Sequence, residues 1–440
     1  MANNRKWLIL SYFSGVDGLA SSHHIDDRIV ELGRLGIEPI VVSSYCSPPS
    51  ADYEKIRSLS LAPSGVRYEM RYATRRAISN DALLGAARVP IVLALLPGYA
   101  IEKAMLRLDS TWSWFLTASR AAVGAARKYG ADVIYSSSGA PSAHLAAYLC
   151  ARKTGLPWIA EYQDPIAGEH IPGPRTEKRL YAQLERLVAE HADAVLFVTR
   201  TALEEAEKRT PLAGRGHFIH PGAREDLFSG LCVGPLTRSP ARGEKLVIGH
   251  FGSLGDDRNV GAILDVLSDL ALHDPEAADD IRLRLVGDRD RSQTAMLAEF
   301  KYRGMLDVRG KCSRAESLRM MLECDLLLLV QNASPHSAVS IPSKLYEYLR
   351  SGLPILGLTH SNDELSAMLR GLGHLACDVR DRFAIQSALA GCHAAWKAGR
   401  WPGLVRAGDY TTARATEQLI EIANGLGHTT IRRGKLPPDA

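Results

Sequence analysis

The strongest constraint on this chain is a rhythm. Short aliphatic and β-branched runs alternate with amphipathic stretches, and the series plays twice. In the first half the runs are "WLILSYF", "IEPIVVSS", "ADVIYSSS", "PWIAEY" and "DAVLFVT", with "IDDRIVELGRLG", "SAHLAAYLCARKTG" and "TEKRLYAQLERLVAEH" among them. Strands that alternate with helical patterns pair in parallel, because a parallel neighbour needs a crossover connection. Over residues 229–245 the pattern lapses into "SGLCVGPLTRSPARGEK", which has the composition of a linker. A second series follows: "LVIGHFGSL", "IRLRLVGD", "MLDVRGK", "CDLLLLVQ" and "LPILGLT". The expected fold is α/β, with two doubly wound parallel-sheet domains of Rossmann type, 1–228 and 246–405, facing across a cleft. A further amphipathic helix is expected within 406–427, and 428–440 as a mobile tail.

Composition narrows the function. A chain of 440 residues, 46% hydrophobic and 23% charged, is too long for one core and too apolar for disorder. A net charge of +4 falls short of the basic footprint of a nucleic-acid binder. Seven scattered cysteines (Cys46, Cys150, Cys232, Cys312, Cys324, Cys377, Cys392) form no Cys-x-x-Cys pair, the pattern of a reduced cytoplasmic chain with neither a zinc site nor a disulfide framework. The opening "MANNRKWLILSYFSG" reads as a first strand rather than a signal peptide.

"RVPIVLALLPGYAIEKAMLRL", Arg88 to Leu108, raises the question of a membrane. Pro97 interrupts its apolar run short of the roughly 20 residues a spanning helix needs. Two readings remain: a buried core helix, or a helix lying on a bilayer surface with Arg71, Arg75, Arg76, Arg88, Lys103 and Arg107 around it.

In open parallel sheets, ligands bind beyond the carboxyl ends of the strands where strand order reverses, so the loops after strands carry the candidates. After the first strand, Gly15 and Gly18 precede a helix that opens near His23 and His24; these glycines let backbone amides approach a ligand, and a plain strand-to-helix turn is the alternative. In "IGHFGSLGDDRNVG", Gly252, Gly255 and Arg258 lie between a strand and a helix, a grip suited to a diphosphate, or else a solvated arginine. "SIPSKLYEYLRSGLPIL" predicts a helix from Pro342 with Gly352 as its left-handed cap and Leu345, Tyr348 and Leu349 facing the core. Lys344 and Glu347 share another stripe, as a surface pair or as ligand-facing groups. Asp288-Arg289-Asp290 has a metal-like spacing whose simpler meaning is an exposed turn, His144 faces either the cleft or its own helix packing, and Trp112 and Trp114 read as core or interfacial anchors.

With these motifs in order, the chain resembles the retaining, family-four GT-B glycosyltransferases that use nucleotide sugars, especially those building bacterial polysaccharides and lipid-linked glycans. "IPSKLYEYLRSGLPIL" is similar to the family's donor-binding helix, "FGSLGDDRN" to its diphosphate loop and "WIAEYQDP" to its acceptor-side turn. The resemblance implies a C-terminal helix that returns to the N-terminal domain. It also implies that Glu347 binds the donor ribose and that Arg258 and Lys344 neutralise the leaving diphosphate. Gly252 and Ser253 would flank the phosphates, with backbone amides of Val339, Ser340 and Ile341 meeting the sugar. Arg309, Lys311 and Ser313 are candidates for the base pocket. On the acceptor side it implies Gly15 and Gly18 as a phosphate-closing loop, Gln163 and Asp164 near the reacting centre, and His23, His24 and His144 as possible contacts. It implies no metal or cofactor, a nucleotide sugar and a glycan or lipid-linked acceptor as partners, and work in the cytoplasm at the membrane's inner face.

Two departures stand out. Val339 occupies the place of the first glutamate of the family's Glu-x7-Glu motif, and Gln163 replaces a histidine or arginine. A catalytically idle binding subunit and a nucleotide-sugar epimerase on the same scaffold are the competing functions.

Overall fold

The two series of apolar runs become two parallel sheets. In the computed structural model, which describes residues 5–77, 81–168, 171, 173–231, 234, 240–401 and 408–426, the chain divides into two units: Met1–His220 with Ala415–Ala440, and Pro221–Arg414. The segment 229–245 falls within the second unit, with part of it, Cys232 included, outside the described residues. So do residues 428–440 and the side chain of Arg76.

The first unit holds β1 (Lys6–Leu10), β2 (Glu38–Ser44), β3 (Glu54–Ser58), β4 (Val133–Ser137), β5 (Trp158–Tyr162), β6 (Ala194–Phe197) and β7 (Gly216–Phe218), ordered β3-β2-β1-β4-β5-β6-β7. Its helices are α1 (Ala20–Arg34), α2 (Pro63–Ala77), α3 (Asp81–Met105), α4 (Phe115–Tyr129), α5 (Ser142–Thr154), α6 (Arg175–His191) and α7 (Arg200–Arg209). β4 and β5 are buried along their whole length, as central parallel strands with both faces covered must be.

The second unit orders six strands as β10-β9-β8-β11-β12-β13, from β8 (Leu246–Phe251), β9 (Ile281–Val286), β10 (Leu306–Arg309), β11 (Leu326–Val330), β12 (Ile355–Thr359) and β13 (Leu375–Asp378). Its helices are α8 (Gly261–His273), α9 (Pro275–Asp279), α10 (Arg291–Glu299), α11 (Arg314–Leu322), α12 (Lys344–Ser351), α13 (Asp363–Gly371) and α14 (Arg382–Lys397). One core cluster packs Leu326 and Leu328 against α8 and α14, the other packs Leu327 and Leu329 against α12 and α13. Each such buried leucine contributes about 2 kcal/mol of transfer free energy. The last helix, α15 (Thr412–Leu426), sends Ala415, Leu419 and Ala423 into the first unit's core beside Trp7, Ile9 and Tyr135. This is the return of the C-terminal helix that the sequence resemblance implied.

All strand pairings in both sheets are parallel. Strand order reverses between β1 and β4 in one unit and between β8 and β11 in the other. Those are the places where an open parallel sheet takes a ligand.

One boundary differs from expectation. α12 begins at Lys344, not Pro342: Pro342 and Ser343 form a tighter turn in which their carbonyls accept from Leu345 (2.9 Å) and Tyr346 (3.2 Å). Gly352, at φ 69°, is the left-handed cap as predicted, and Leu345, Tyr348 and Leu349 are buried.

Candidate functional site

At the second unit's switch point, β8 runs out at Phe251 and the backbone turns through Gly252 at φ 132°, a conformation open to glycine. A side chain there would also collide with Nζ of Lys344, and one on Gly287 would strike the Gly252 carbonyl. The two glycines let the ends of β8 and β9 cross at backbone contact. Beyond them Gly255 and Arg258 exchange reciprocal 3.0 Å backbone bonds, closing a tight turn. The Asp290 carboxylate accepts from the amides of Asp256 (3.1 Å) and Gln293 (2.9 Å), so the Asp288–Asp290 run braces this turn and caps α10. Among the described residues, no three His, Cys, Asp or Glu side chains gather as they would around a metal ion.

Lys344, the first residue of α12, reaches back over Gly252 to lie with Nζ 3.4 Å from Nε2 of His250. Nδ1 of that fully buried histidine is 3.0 Å from the Leu328 carbonyl, which can only accept. The proton therefore sits on Nδ1, and Nε2 presents a lone pair to the lysine. Burial, then the Lys344 ammonium, hold His250 well below the usual histidine range. Burial, then Arg258, hold Lys344 well below the usual lysine range, while Glu347 pulls the other way. Glu347 itself, one turn further along α12, accepts a 2.7 Å bond from Nε of Arg314, each side chain about one-fifth exposed. It makes neither a surface pair with Lys344 nor a lone solvated group. Tyr348 accepts from the Phe251 amide at 2.8 Å and so fixes α12 against β8. Glu347 thus accepts from Arg314 and acts on Lys344, which Arg258 also faces from the loop after β8.

The loop after β11 borders the same ground. The side-chain amides of Gln331 and Asn362, both buried, each donate to the carbonyls of Ser337 and Ser340 at 2.6–3.0 Å, drawing those carbonyls inward and fixing the path of Val339, Ser340 and Ile341. The Ala333 amide donates to the Asp257 carbonyl at 2.5 Å, tying this loop to the one after β8. Ser253 is exposed. Ser313 caps α11 through the Glu316 amide, Lys311 is exposed, and Arg309 pairs with Asp307 at 2.6 Å. Arg314 had no part in the sequence reading; its place beside the cap of the helix after β10 was the available signal.

The first unit's switch point is built differently. The Asp26 carboxylate accepts from the Gly15 amide (2.7 Å) and from the hydroxyls of Ser14 and Ser22 (2.9 Å each), the Val16 amide bonds Ser22 Oγ at 2.8 Å, and the Gly18 amide bonds Nε2 of His23 at 3.2 Å. The amides that the resemblance would aim at phosphate are here taken up by the loop's own side chains. His24 meets Glu161 at 2.8 Å. Glu161, fully buried on β5, also accepts from Arg28 (3.3 Å), Ser137 (3.3 Å) and Tyr135. Burial would raise its pKa, yet His24 and Arg28 hold it far below the usual carboxylate range. Gln163 ties strand ends to α1 through Ser137 Oγ (2.7 Å) and the Ser21 carbonyl (3.2 Å), and Asp164 is exposed beyond it. His144 is wholly buried, bonded to Ser136 Oγ at 2.8 Å, edge-on to Tyr162, and pushed down to about 3 by burial. It is a packing residue, not a ligand contact. Trp114 is likewise core, bonded to the Ser58 carbonyl at 3.1 Å, and Trp112 bonds Glu102 at 2.7 Å.

Residues 29–222 match the family described as the glycosyl transferase 4-like domain. That match spans less than half of the chain, and the two parallel-sheet units have the fold of the GT-B glycosyltransferases. Its fold is similar to that of Anabaena HepE in complex with UDP and glucose, at TM-score 0.60 and 13% identity over 96% of this chain and 100% of that one. It is also similar to the lipopolysaccharide outer core galactosyltransferase WaaB (0.56, 11%, 96% and 99%) and to TarM (0.58, 7%, 96% and 99%). At such identities the likeness is one of fold. No curated protein matches the sequence.

Proposed function

We propose that this GT-B protein transfers a sugar from a nucleoside-diphosphate donor, first of all a UDP-sugar, to a glycan or lipid-linked acceptor in polysaccharide or glycoconjugate synthesis, in the cytoplasm at the membrane's inner face. The observation that carries the reading is the gathering of Arg258, Lys344 and Glu347 at the end of β8, the second unit's switch point. Lys344 reaches over Gly252 to His250, Arg258 acts on it from the loop after β8, and Glu347 follows one turn along α12. Glycosyl transfer breaks the bond from the anomeric carbon to the diphosphate and forms one to the acceptor oxygen. Negative charge collects on the leaving phosphate, and preorganised cations lower that barrier most. Side chains supply that charge here. In the retaining course the resemblance implies, the acceptor's proton passes to the departing phosphate on the same face. Glu347, held by Arg314, is the group this reading assigns to the ribose hydroxyls. UDP is the first nucleotide to try because HepE structures hold UDP, UDP with glucose, and UDP-glucose.

A thermal-shift screen of nucleoside diphosphates tests the donor side. Arg258→Ala and Glu347→Ala should each abolish the shift from the best nucleotide while the ligand-free melting point barely moves. Equal loss of ligand-free stability would make these residues structural. An idle binding subunit draws on Gln163, whose side chain is occupied in tying strand ends together. That reading wins if nucleotide binds but no donor and acceptor pair releases nucleoside diphosphate.

A further inference from the structure

α3 is exposed along the wrong face for a helix in water. From Val89 to Ile101 the sequence has no charged residue, and the side chains the helix exposes there include Val89, Leu93, Leu96 and Ile101, with Met105 a turn beyond. Leu93 and Ile101 are each 61% exposed and Met105 is 75% exposed. A solvated helix carries polar groups on its outer face; a contiguous apolar face marks a contact surface. The core-helix reading of this segment fails on that count.

The surface continues sideways into an open apolar hollow of about 400 Å³ lined by Leu61, Pro63, Ile101, Met105, Trp112 and Leu116. The carboxylate beside it, Glu102, is buried and committed to the Ser64 amide (2.8 Å) and the Trp112 indole (2.7 Å), so it puts no negative charge on the surface. The exposed charges are all of the other sign. Among the described side chains of residues 60–108 they are Arg71, Arg75 and Arg107. Arg88 donates to the Arg71 carbonyl at 2.7 Å, which fixes Arg71 beside the start of the apolar stretch, and Arg107 stands just past its end. Positive charge therefore brackets the apolar face at both ends. Pro90 and Pro97 lie inside the helix, and among the described residues no helix is long and apolar enough to cross a membrane.

We propose that this face of α3 lies on an anionic phospholipid bilayer, with Leu93, Leu96, Ile101 and Met105 at the boundary of headgroups and acyl chains and with Arg71, Arg75 and Arg107 on lipid phosphates. An apolar face flanked by arginines is the composition that binds such surfaces, and each exposed basic residue adds to the attraction. The proposal gives a place to the membrane-bound acceptor suggested above but does not depend on the donor site.

The test is co-sedimentation of the full chain with phosphatidylcholine vesicles with and without phosphatidylglycerol, no nucleotide present. The protein should bind the anionic vesicles and release as salt rises. Leu93→Asp with Ile101→Asp should lower the partition coefficient tenfold or more, and Arg71→Gln, Arg75→Gln and Arg107→Gln should lower it roughly fivefold each on anionic vesicles only. Both sets should keep the wild-type circular dichroism melt, since the altered side chains are exposed. The proposal is overturned if the wild type stays in solution with anionic vesicles, or if the aspartate variant binds as well as the wild type. It is equally overturned if the wild type ignores vesicles but forms a dimer that the aspartates break, which would assign the face to a second copy. Loss of vesicle binding with nucleotide shifts intact, or the converse, tells a failure here from a failure of the donor reading.

Discussion

The two units solve the same topological problem with opposite charge. Each winds its strands outward from a switch point, and each gathers ionisable groups there. In the first unit the protein supplies its own anion: Glu161 takes donors from His24, Arg28, Tyr135 and Ser137, and Asp26 fills the glycine loop. In the second, Arg258 and Lys344 crowd His250, and Glu347, on the same helix as Lys344, is bonded to Arg314. A closed ion cluster stabilises a fold, whereas an unbalanced one is a place where an anion from outside improves the electrostatics. On the function proposed above, the same scaffold has one switch point filled by its own side chains and one that takes the donor.

The sharpest way to break this contrast is to remove a charge from each. Glu161→Ala leaves Arg28 buried without its carboxylate and should cost about 3–5 kcal/mol. It should be read by chemical denaturation, with nucleotide shifts retained in whatever protein stays folded. Lys344→Met should do the opposite. Ligand-free stability should hold or rise by about 1 kcal/mol, because a partly desolvated cation next to Arg258 is removed. The gain from nucleotide, about 2.7 kcal/mol at a hundred times the dissociation constant, should vanish. If both variants lose stability alike, the distinction between the units is wrong.

A smaller effect sharpens it. Arg314→Gln should weaken nucleotide binding roughly tenfold, the scale of one charge-assisted hydrogen bond, by letting the Glu347 carboxylate wander. Glu347→Gln should do much the same, and the double variant should add little to either single change if the two act as one unit. Additive losses measured by calorimetry would give Arg314 a separate contact with the nucleotide.

Much of this was legible in the chain. The central strands announced themselves because buried parallel strands must be apolar on both faces. The edge strands β3 ("EKIRS"), β7 ("GHF") and β13 ("LACD") escaped because they are short and are not covered on both sides, so their composition resembles loops. Gly252, Arg258, Lys344 and Glu347 stand out in the sequence as candidates because they fall just after strands or near a capped helix start. Glu161 was passed over: its partner Arg28 lies 133 residues earlier, and no local pattern reports that. The available clue was a lone acid inside the apolar strand "WIAEY", since a carboxylate in a strand buried on both sides has to be paired. His250 in "IGHF" carried the same clue.

The smallest expected effect is in pH. The charged groups acting on Lys344 are Arg258 from the loop after β8 and Glu347 on its own helix, with neutral His250 beneath it on β8. Its pKa is lowered in the folded chain, so the unfolded chain holds more protons between that lowered value and the ordinary 10.5. Ligand-free stability from this group therefore rises with pH across that window. A diphosphate favours the ammonium, so binding takes up a proton and affinity should fall as pH rises. Above about pH 7 the phosphate's own second ionisation, near 6, no longer contributes. With at most one proton involved, the fall cannot exceed about tenfold per pH unit. Calorimetry in buffers of different ionisation enthalpy should show uptake in the wild type and none in Lys344→Met. In the first unit Glu161 and His144, both depressed, lose their contribution as pH falls, Glu161 from its ordinary 4.5 downward and His144 between 6.5 and about 3. Acid should thus weaken the first unit through Glu161 and His144 and the second through buried His250, while leaving Lys344 charged for its anion. A proton count of zero in the wild type would mean that Lys344 keeps one charge state throughout, and the fall of affinity with pH would then be absent.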